Sequence, residues 1–372
     1  MICNNVTGII FSNMHDSHLR EITDLRTMGS IPFGGRYRAI DFPLSGMVNA
    51  GIGKVGVITK HNFQSLMDHL GSGKAWDLSR KRAGLFILPP FGYNNSVYQS
   101  RVEALSGIAS FLSHGTEDYI LMSDCHIIYT MDYQELMEEH IQKGADVTVV
   151  YKSGVMPADL PEKARFELGR GHKINEIVIE PEAPGNKVNW SMGVYLLKKE
   201  LLVQIISDAM GRNRLDFIRD VLMPAAQSHR VFGYKFDGFA GVMGSTKGYF
   251  DTSMQMMKPE VRGDLFKPSL PIYTKVRDEM PTRFGLGSNV KNSVLADGCL
   301  IEGDVENCVL FRGVQVGKGA VVKNCVIMQD AVVGEDARLN YVISDKGCKF
   351  RPGRSISGFD SYPVYIAKGS EV

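Results

Sequence analysis

Short apolar runs alternate with amphipathic stretches through the first 250 residues. Gly53–Thr59, Tyr119–Met122 and Asp146–Tyr151 are compact apolar segments rich in β-branched residues, as expected of buried strands. Helix-period stretches such as Tyr133–Lys143 lie between them. The alternation predicts an α/β domain over residues 1–255, with helices around a mixed, mainly parallel sheet. Ligands of such sheets bind beyond the carboxyl ends of the strands. The loops after Ile9, after Leu121 and around Val242 are therefore where chemistry is expected.

The pattern changes near Met256. Pro259, Pro268, Pro271 and Pro281 fall in a stretch with little periodicity, which suits a linker over residues 256–283. The Met254-Gln-Met-Met257 cluster reads as helix packing. From residue 284 to 372 a phrase recurs: Asn292-Ser-Val294, Asn307-Cys-Val309, Asn324-Cys-Val326 and Asn340-Tyr-Val342, with starts separated by 15, 17 and 16 residues. Apolar-x-Gly elements intervene. A near-constant short period with many valines predicts stacked coils of a hexapeptide-type parallel β-helix. A small β-sandwich with evenly spaced turns is the alternative. Such a repeat builds a core and flat faces for subunit contact, not a reaction centre.

Composition narrows the partners. With 372 residues, 44% hydrophobic, 22% charged and net charge +1, the chain has material for ordinary cores and no global charge bias. Nucleic acid and anionic membrane are disfavoured as partners. Six cysteines lack C-x-x-C spacing and read as reduced, buried thiols. No apolar run approaches a membrane span, and the start lacks the features of a signal peptide, so a cytoplasmic address is expected. His15, His18, His61, His69 and His126 show no metal-ligand spacing and read as structural or surface histidines, so no metal site is expected.

Ile31-Pro-Phe-Gly-Gly-Arg-Tyr-Arg-Ala-Ile-Asp-Phe-Pro-Leu-Ser45, followed by Asn49-Ala-Gly-Ile52, resembles the ADP-glucose pyrophosphorylases (glucose-1-phosphate adenylyltransferases). Gly71–Leu78, Ile87–Pro90, Met131–Tyr133, Ala145–Thr148, Ser191–Tyr195 and Asp216–Asp220 continue the resemblance in order. It implies a nucleotidyltransferase domain of GT-A/Rossmann-like type and a left-handed β-helix. It also implies the chemistry: ATP and glucose 1-phosphate give ADP-glucose and pyrophosphate, with Mg2+ held by carboxylates.

This sequence departs from the family pattern at the positions that carry that chemistry. The family's G-G-x-G-x-R-L loop aligns so that Asn13, Met14 and Asp16 replace glycines and His18 replaces the arginine. Met14 would block backbone approach to phosphate. Asp16 would set a carboxylate in the triphosphate's space, a repulsion of about 4 kcal/mol at ~4 Å and an effective dielectric near ~20. Cys125 stands for one metal aspartate and Val242 for the other, and a thiol is a poor ligand for Mg2+. Asp124, next door, could substitute only with a local shift of the strand. Met28 and Glu180 replace lysines. Val97-Tyr-Gln-Ser-Arg-Val-Glu103 fills the adenine side with larger residues, and Tyr98, Ser191 and Gly193 survive as sugar-site remnants. Pro32–Arg38 serves either function or a turn and interface.

The resemblance is therefore to the family's second, non-catalytic subunit type, GlgD. It implies a modulatory subunit with no cofactor of its own, partnered with a catalytic glucose-1-phosphate adenylyltransferase subunit in a hetero-oligomer, expected to be a tetramer. A weakly active transferase using Asp124 and a stand-alone sugar-phosphate sensor are the alternatives. A β-helix acyltransferase is disfavoured, since residues 284–372 contain no histidine.

Overall fold

The computed structural model describes residues 2–81, 83–90 and 98–372. Val97 lies outside them. Nine strands build the main sheet: β1 (Val6–Phe11), β2 (Lys54–Ile58), β3 (Gly84–Leu88), β4 (Tyr119–Asp124), β5 (Val147–Val155), β6 (Ala164–Leu168), β7 (Ile174–Ile179), β8 (Lys187–Lys198) and β9 (Val231–Lys235). The order is β7-β6-β8-β4-β1-β2-β3, with β5 pairing β8 and β9 pairing β5. β3, β2, β1 and β4 run parallel, while β8 is antiparallel to β4, β5 and β6. The sheet is mixed for that reason. Its central strands are buried along their whole length, which explains why they read as continuous apolar runs without alternation.

Register decides where the loops gather. Phe11 pairs with both Ile58 and Asp124, so β1, β2 and β4 end level. The segments Ser12–Leu19, Thr59–Lys60 and Cys125–His126 leave the sheet at one edge, as the switch-point rule for such sheets requires.

The proline-rich stretch contains one helix, Pro259–Leu265. Pro259 sits in its first turn, where its missing N–H costs nothing, and Val261 and Leu265 are buried beneath it. Met256 is in the core, with Met254 and Met257 packed on it.

From Arg283 the chain winds into three five-stranded parallel sheets, a left-handed β-helix. Its interior is valine, isoleucine, alanine and four of the cysteines. The recurrent asparagines form a ladder: Asn292 donates to Asn307 at 2.7 Å, Asn307 to Asn324 at 3.2 Å and Asn324 to Asn340 at 3.0 Å. The first three also turn the corner at positive φ, a conformation asparagine tolerates better than other side chains. At the fourth repeat the positive φ passes to Tyr341.

The two parts share one core, since Val309, Phe311, Val326, Met328 and Ile343 pack with residues of the α/β domain. Arg26 and Asp345 form a buried ion pair across the junction, with both carboxylate oxygens 2.8 Å from Nη2. The Pro32–Arg38 segment is a two-stranded hairpin. Its turn glycine Gly35 has φ +85°, and a Cβ there would meet Ala296 at 3.4 Å. The hairpin therefore works at the domain junction. Among the described residues, no helix is long and apolar enough to cross a membrane.

Candidate functional site

At the level end of β1, β2 and β4 lies a cleft of about 540 Å³, lined by Met14, His15, His18, Arg101, Glu162, Glu180 and the start of Phe217–Leu222, among others. Its floor is ionic. Ser100 caps the helix Arg101–Gly107, and Glu103 returns the bond in a capping box, which fixes Arg101 at the first helical position. From there Arg101 reaches Asp124 in a two-pronged pair, Nη1 to Oδ1 at 2.8 Å and Nη2 to Oδ2 at 2.9 Å. Nη2 also donates to Glu162 at 3.2 Å. The guanidinium lies over the rings of Phe11, Tyr195 and Phe217.

Arg101 and Asp124 are 2% and 3% exposed, so neither charge is solvated by water. Burial pulls the guanidinium down, but Asp124 and Glu162 hold it well above its usual value. Burial likewise opposes ionisation of Asp124, yet Arg101 and then His15 hold its carboxyl far below the usual range. Both groups are charged at neutral pH because they are together.

Two histidines complete the floor. His15 Nε2 is 3.3 Å and His126 Nδ1 3.7 Å from Asp124 Oδ2. Their rings meet edge to face at 4.6 Å. Burial, then His15, pushes His126 down to about 3, so it is neutral. Its Nδ1 has no hydrogen-bond partner.

The bulge in β8 makes room for this group. Pairing with β5 shifts between Ser191 and Tyr195, and Gly193 takes φ +67° there. A Cβ on Gly193 would stand 2.9 Å from Asp124 Oδ2, so only glycine fits. Ser191 is buried, and its Oγ accepts from the Gly193 N–H at 3.3 Å.

The remaining positions singled out in the sequence scatter. Asn13 is buried, and its Oδ1 accepts from Tyr98 Oη at 3.3 Å. Met14 packs on the apolar cluster beside the cleft, and His18 is exposed at its rim. Met28, Cys125 and Val242 all belong to the hydrophobic core. Cys125 and Asp124 are both buried, and it is Arg101, paired with Asp124, that lines the cleft. Glu180 lines the cleft but is paired with Arg165 at 2.5 Å.

Asp16 differs from the expectation most. It does not line the cleft: its Oδ1 accepts from the Met28 N–H at 2.8 Å, bracing the loop internally. Burial, opposed by that bond and by Lys60, pushes its carboxyl up to about 7 from 3.8. Between those pH values the folded protein holds a proton that the unfolded chain releases, so this group lowers stability as pH rises from about 4 to about 7. Asp16→Asn keeps the acceptor and removes the titration. Its stability–pH curve, measured by urea unfolding, is expected to lose that descending component; an unchanged slope would show that the partly buried Asp16 does not hold its proton in the folded state.

A second concavity, about 160 Å³, lies at the domain junction among Arg36, Arg38, Lys275, Arg277, Arg312 and Lys346, with Asp68 and Asp330 the carboxylates on its wall. Burial, then Arg38 and Arg26, pushes Lys346 down to about 7.

Residues 8–258 match the nucleotidyl transferase family and residues 280–362 the GlmU-like C-terminal hexapeptide family. The chain is 35% identical over 372 residues to the glycogen biosynthesis protein GlgD of Bacillus subtilis (strain 168), covering 99% of this chain and 97% of that protein. It is 35% identical over 323 residues to a glucose-1-phosphate adenylyltransferase of Geobacillus stearothermophilus, covering 85% and 82%. The chain belongs to the glucose-1-phosphate adenylyltransferase family. GlgD of Geobacillus stearothermophilus is a further relative, 36% identical over 325 residues, 86% of this chain and 83% of that protein. The comparisons thus put the chain among the proteins of glycogen biosynthesis.

The family resemblance implies Mg2+, and the residues present do not fit it. A hard cation needs free oxygen ligands in octahedral array. Val242 offers none, Cys125 lies in the core, and Asp124 is a single carboxylate set among imidazoles and a guanidinium, too few oxygens for such an array. Reading the sequence by residue type missed Arg101 as the centre of the floor. The Ser100-Arg-Val-Glu103 capping box was the available signal, because it places residue 101 at a helix start facing the strand ends.

Proposed function

We propose that this protein is a non-catalytic, modulatory subunit of a hetero-oligomeric glucose-1-phosphate adenylyltransferase. The observation that carries the proposal is the Arg101–Asp124 pair. Where a transferase needs a carboxylate free to hold a metal against the phosphates, this chain has neutralised its cleft carboxylate with its own buried cation. Adenylyl transfer requires charge stabilisation as the α-phosphate is attacked, and the guanidinium on the floor is already committed to Asp124 and Glu162. The protein needs no Mg2+ in this role.

Two features support the subunit role. Phe284 and Leu286 at the first rung of the β-helix, with Val276 and Met280 on the segment leading to it, are exposed, an apolar edge suited to a partner subunit. The basic pocket at the junction suits a small phosphate-bearing effector, whose charge would relieve the crowding around Lys346.

The test is to assay ADP-glucose formation by this protein alone, by a catalytic glucose-1-phosphate adenylyltransferase subunit alone, and by both together. The protein alone is expected to be inactive, and to remain so after Asn13→Gly, Met14→Gly and Asp16→Gly are combined, because the metal carboxylates stay absent. The mixture is expected to differ from the catalytic subunit in rate or in effector response. Unchanged kinetics and no co-migration on gel filtration would sink the proposal.

A further inference from the structure

The His15–Asp124–His126 cluster has a geometry that the ion pair does not account for. His15 comes from the loop after β1, Asp124 from the last position of β4 and His126 from the turn after it, brought together by the register of β1 with β4. One ligand atom of each, His15 Nε2, Asp124 oxygen and His126 Nδ1, lies within 4.8 Å of the others, and all three residues are buried. Both imidazole nitrogens converge on the same carboxylate oxygen, at 3.3 and 3.7 Å. A tetrahedral ion with ligand bonds of about 2.0–2.1 Å has ligand atoms about 3.3–3.4 Å apart along each edge. The two measured separations are close to that edge.

A second observation points the same way. His126 is 3% exposed, and its Nδ1 is aimed at Asp124 without any hydrogen-bond partner. A buried ring nitrogen left unmatched is uncommon and calls for an occupant. We infer that His15, Asp124 and His126 form a site for a borderline transition cation of the Zn2+ or Co2+ class, with its fourth position open to the cleft that His15 lines.

Arg101 is compatible with such an ion. A carboxylate offers about four lone-pair directions, and Arg101 takes one on each oxygen. It would orient Asp124 as an outer-shell hydrogen-bond partner does at metal sites. Arg101 is also matched by two carboxylates, Asp124 and Glu162, which leaves a net negative charge for a cation to meet. The donor set of two imidazoles and one oxygen selects zinc-like ions over Mg2+. On binding, the His15–Asp124 hydrogen bond gives way to coordination, and His15 adopts the tautomer with its proton on Nδ1. The ion would clamp the Ser12–Leu19 loop to the end of β4. The inference concerns binding alone and holds whether or not the chain has a modulatory role.

The experiment uses the tag-free full chain, stripped of metal and titrated with Co2+ alone. One equivalent is expected to bind with the intense visible bands of four-coordinate cobalt on nitrogen and oxygen, and Zn2+, but not Mg2+, should displace it. Zn2+ is also expected to raise the thermal midpoint by mass action. His15→Asn should weaken binding by at least about 100-fold and abolish the thermal gain; His126→Gln should do the same. Absent visible bands, a thiolate-to-cobalt band, displacement by Mg2+, or binding untouched in His15→Asn would each overturn the inference.

Discussion

Arg101→Met is expected to lower the free energy of unfolding by about 3–5 kcal/mol, the range for removing one partner of a buried ion pair. Asp124 would remain 3% exposed, with the imidazoles of His15 and His126 against it. Its depressed ionisation depends on Arg101. Without that cation, burial raises the carboxyl and the residue takes up a proton instead. The variant's deficit should therefore shrink as pH falls, because the paired carboxylate of the natural protein contributes its full stability above its unfolded pKa and loses it progressively as pH falls toward its depressed folded pKa. Arg101→Met combined with Asp124→Leu is expected to recover most of the loss, since replacing both partners removes the stranded charge. Urea unfolding at constant m value reads both results. A single variant as stable as the natural protein would show that the pair does not hold the floor of the cleft. Neither variant should gain transferase activity, as Val242 still offers no ligand.

The junction between the domains is expected to be almost as sensitive. Arg26→Met strands Asp345, which is 2% exposed, and should cost about 3 kcal/mol, the lower end of the same range. The reason is partial compensation: Tyr365 Oη donates to Asp345 Oδ2 at 2.8 Å and the Lys346 N–H to Oδ1 at 2.7 Å. Because Arg26 ties a turn of the α/β domain to the β-helix, loosening should also show in the connecting segment. Residues 271–282 have no regular structure and expose Val276 and Met280. Limited proteolysis there is expected to accelerate in the variant. Equal cleavage rates would mean that the shared apolar core alone holds the domains together.

Both predictions rest on residues whose importance the linear chain conceals to different degrees. Nothing along the chain marks Arg26, whose partner lies 319 positions away. Arg101 looked like one bulky residue among several in an altered motif. Only the meeting of a helix start with the end of β4 turns it into the counter-ion of Asp124. Cys125 and Asp124 show the same dependence. Adjacent residues at a strand end face opposite sides, and alignment by neighbours such as His126 cannot say which one faces the cleft. In the structure both are buried, the thiol in the hydrophobic core and the carboxylate paired with Arg101. Asp16 was expected to repel phosphate, and a hydrogen bond to the Met28 N–H turns it to bracing its own loop.

The sequence by itself determined the architecture, because periodicity is local. Buried parallel strands must be continuously apolar, and a solenoid must repeat its corner asparagines and interior valines at each rung. It also determined that glycines and carboxylates expected of an adenylyltransferase are missing, since those are matters of residue identity. Tertiary structure alone decided what fills their place. Strand register brings His15, Arg101, Asp124 and His126, residues up to 111 positions apart, to one desolvated point. Charge and lone pairs buried there interact at short range in a low dielectric, and no pattern along the chain encodes that distance.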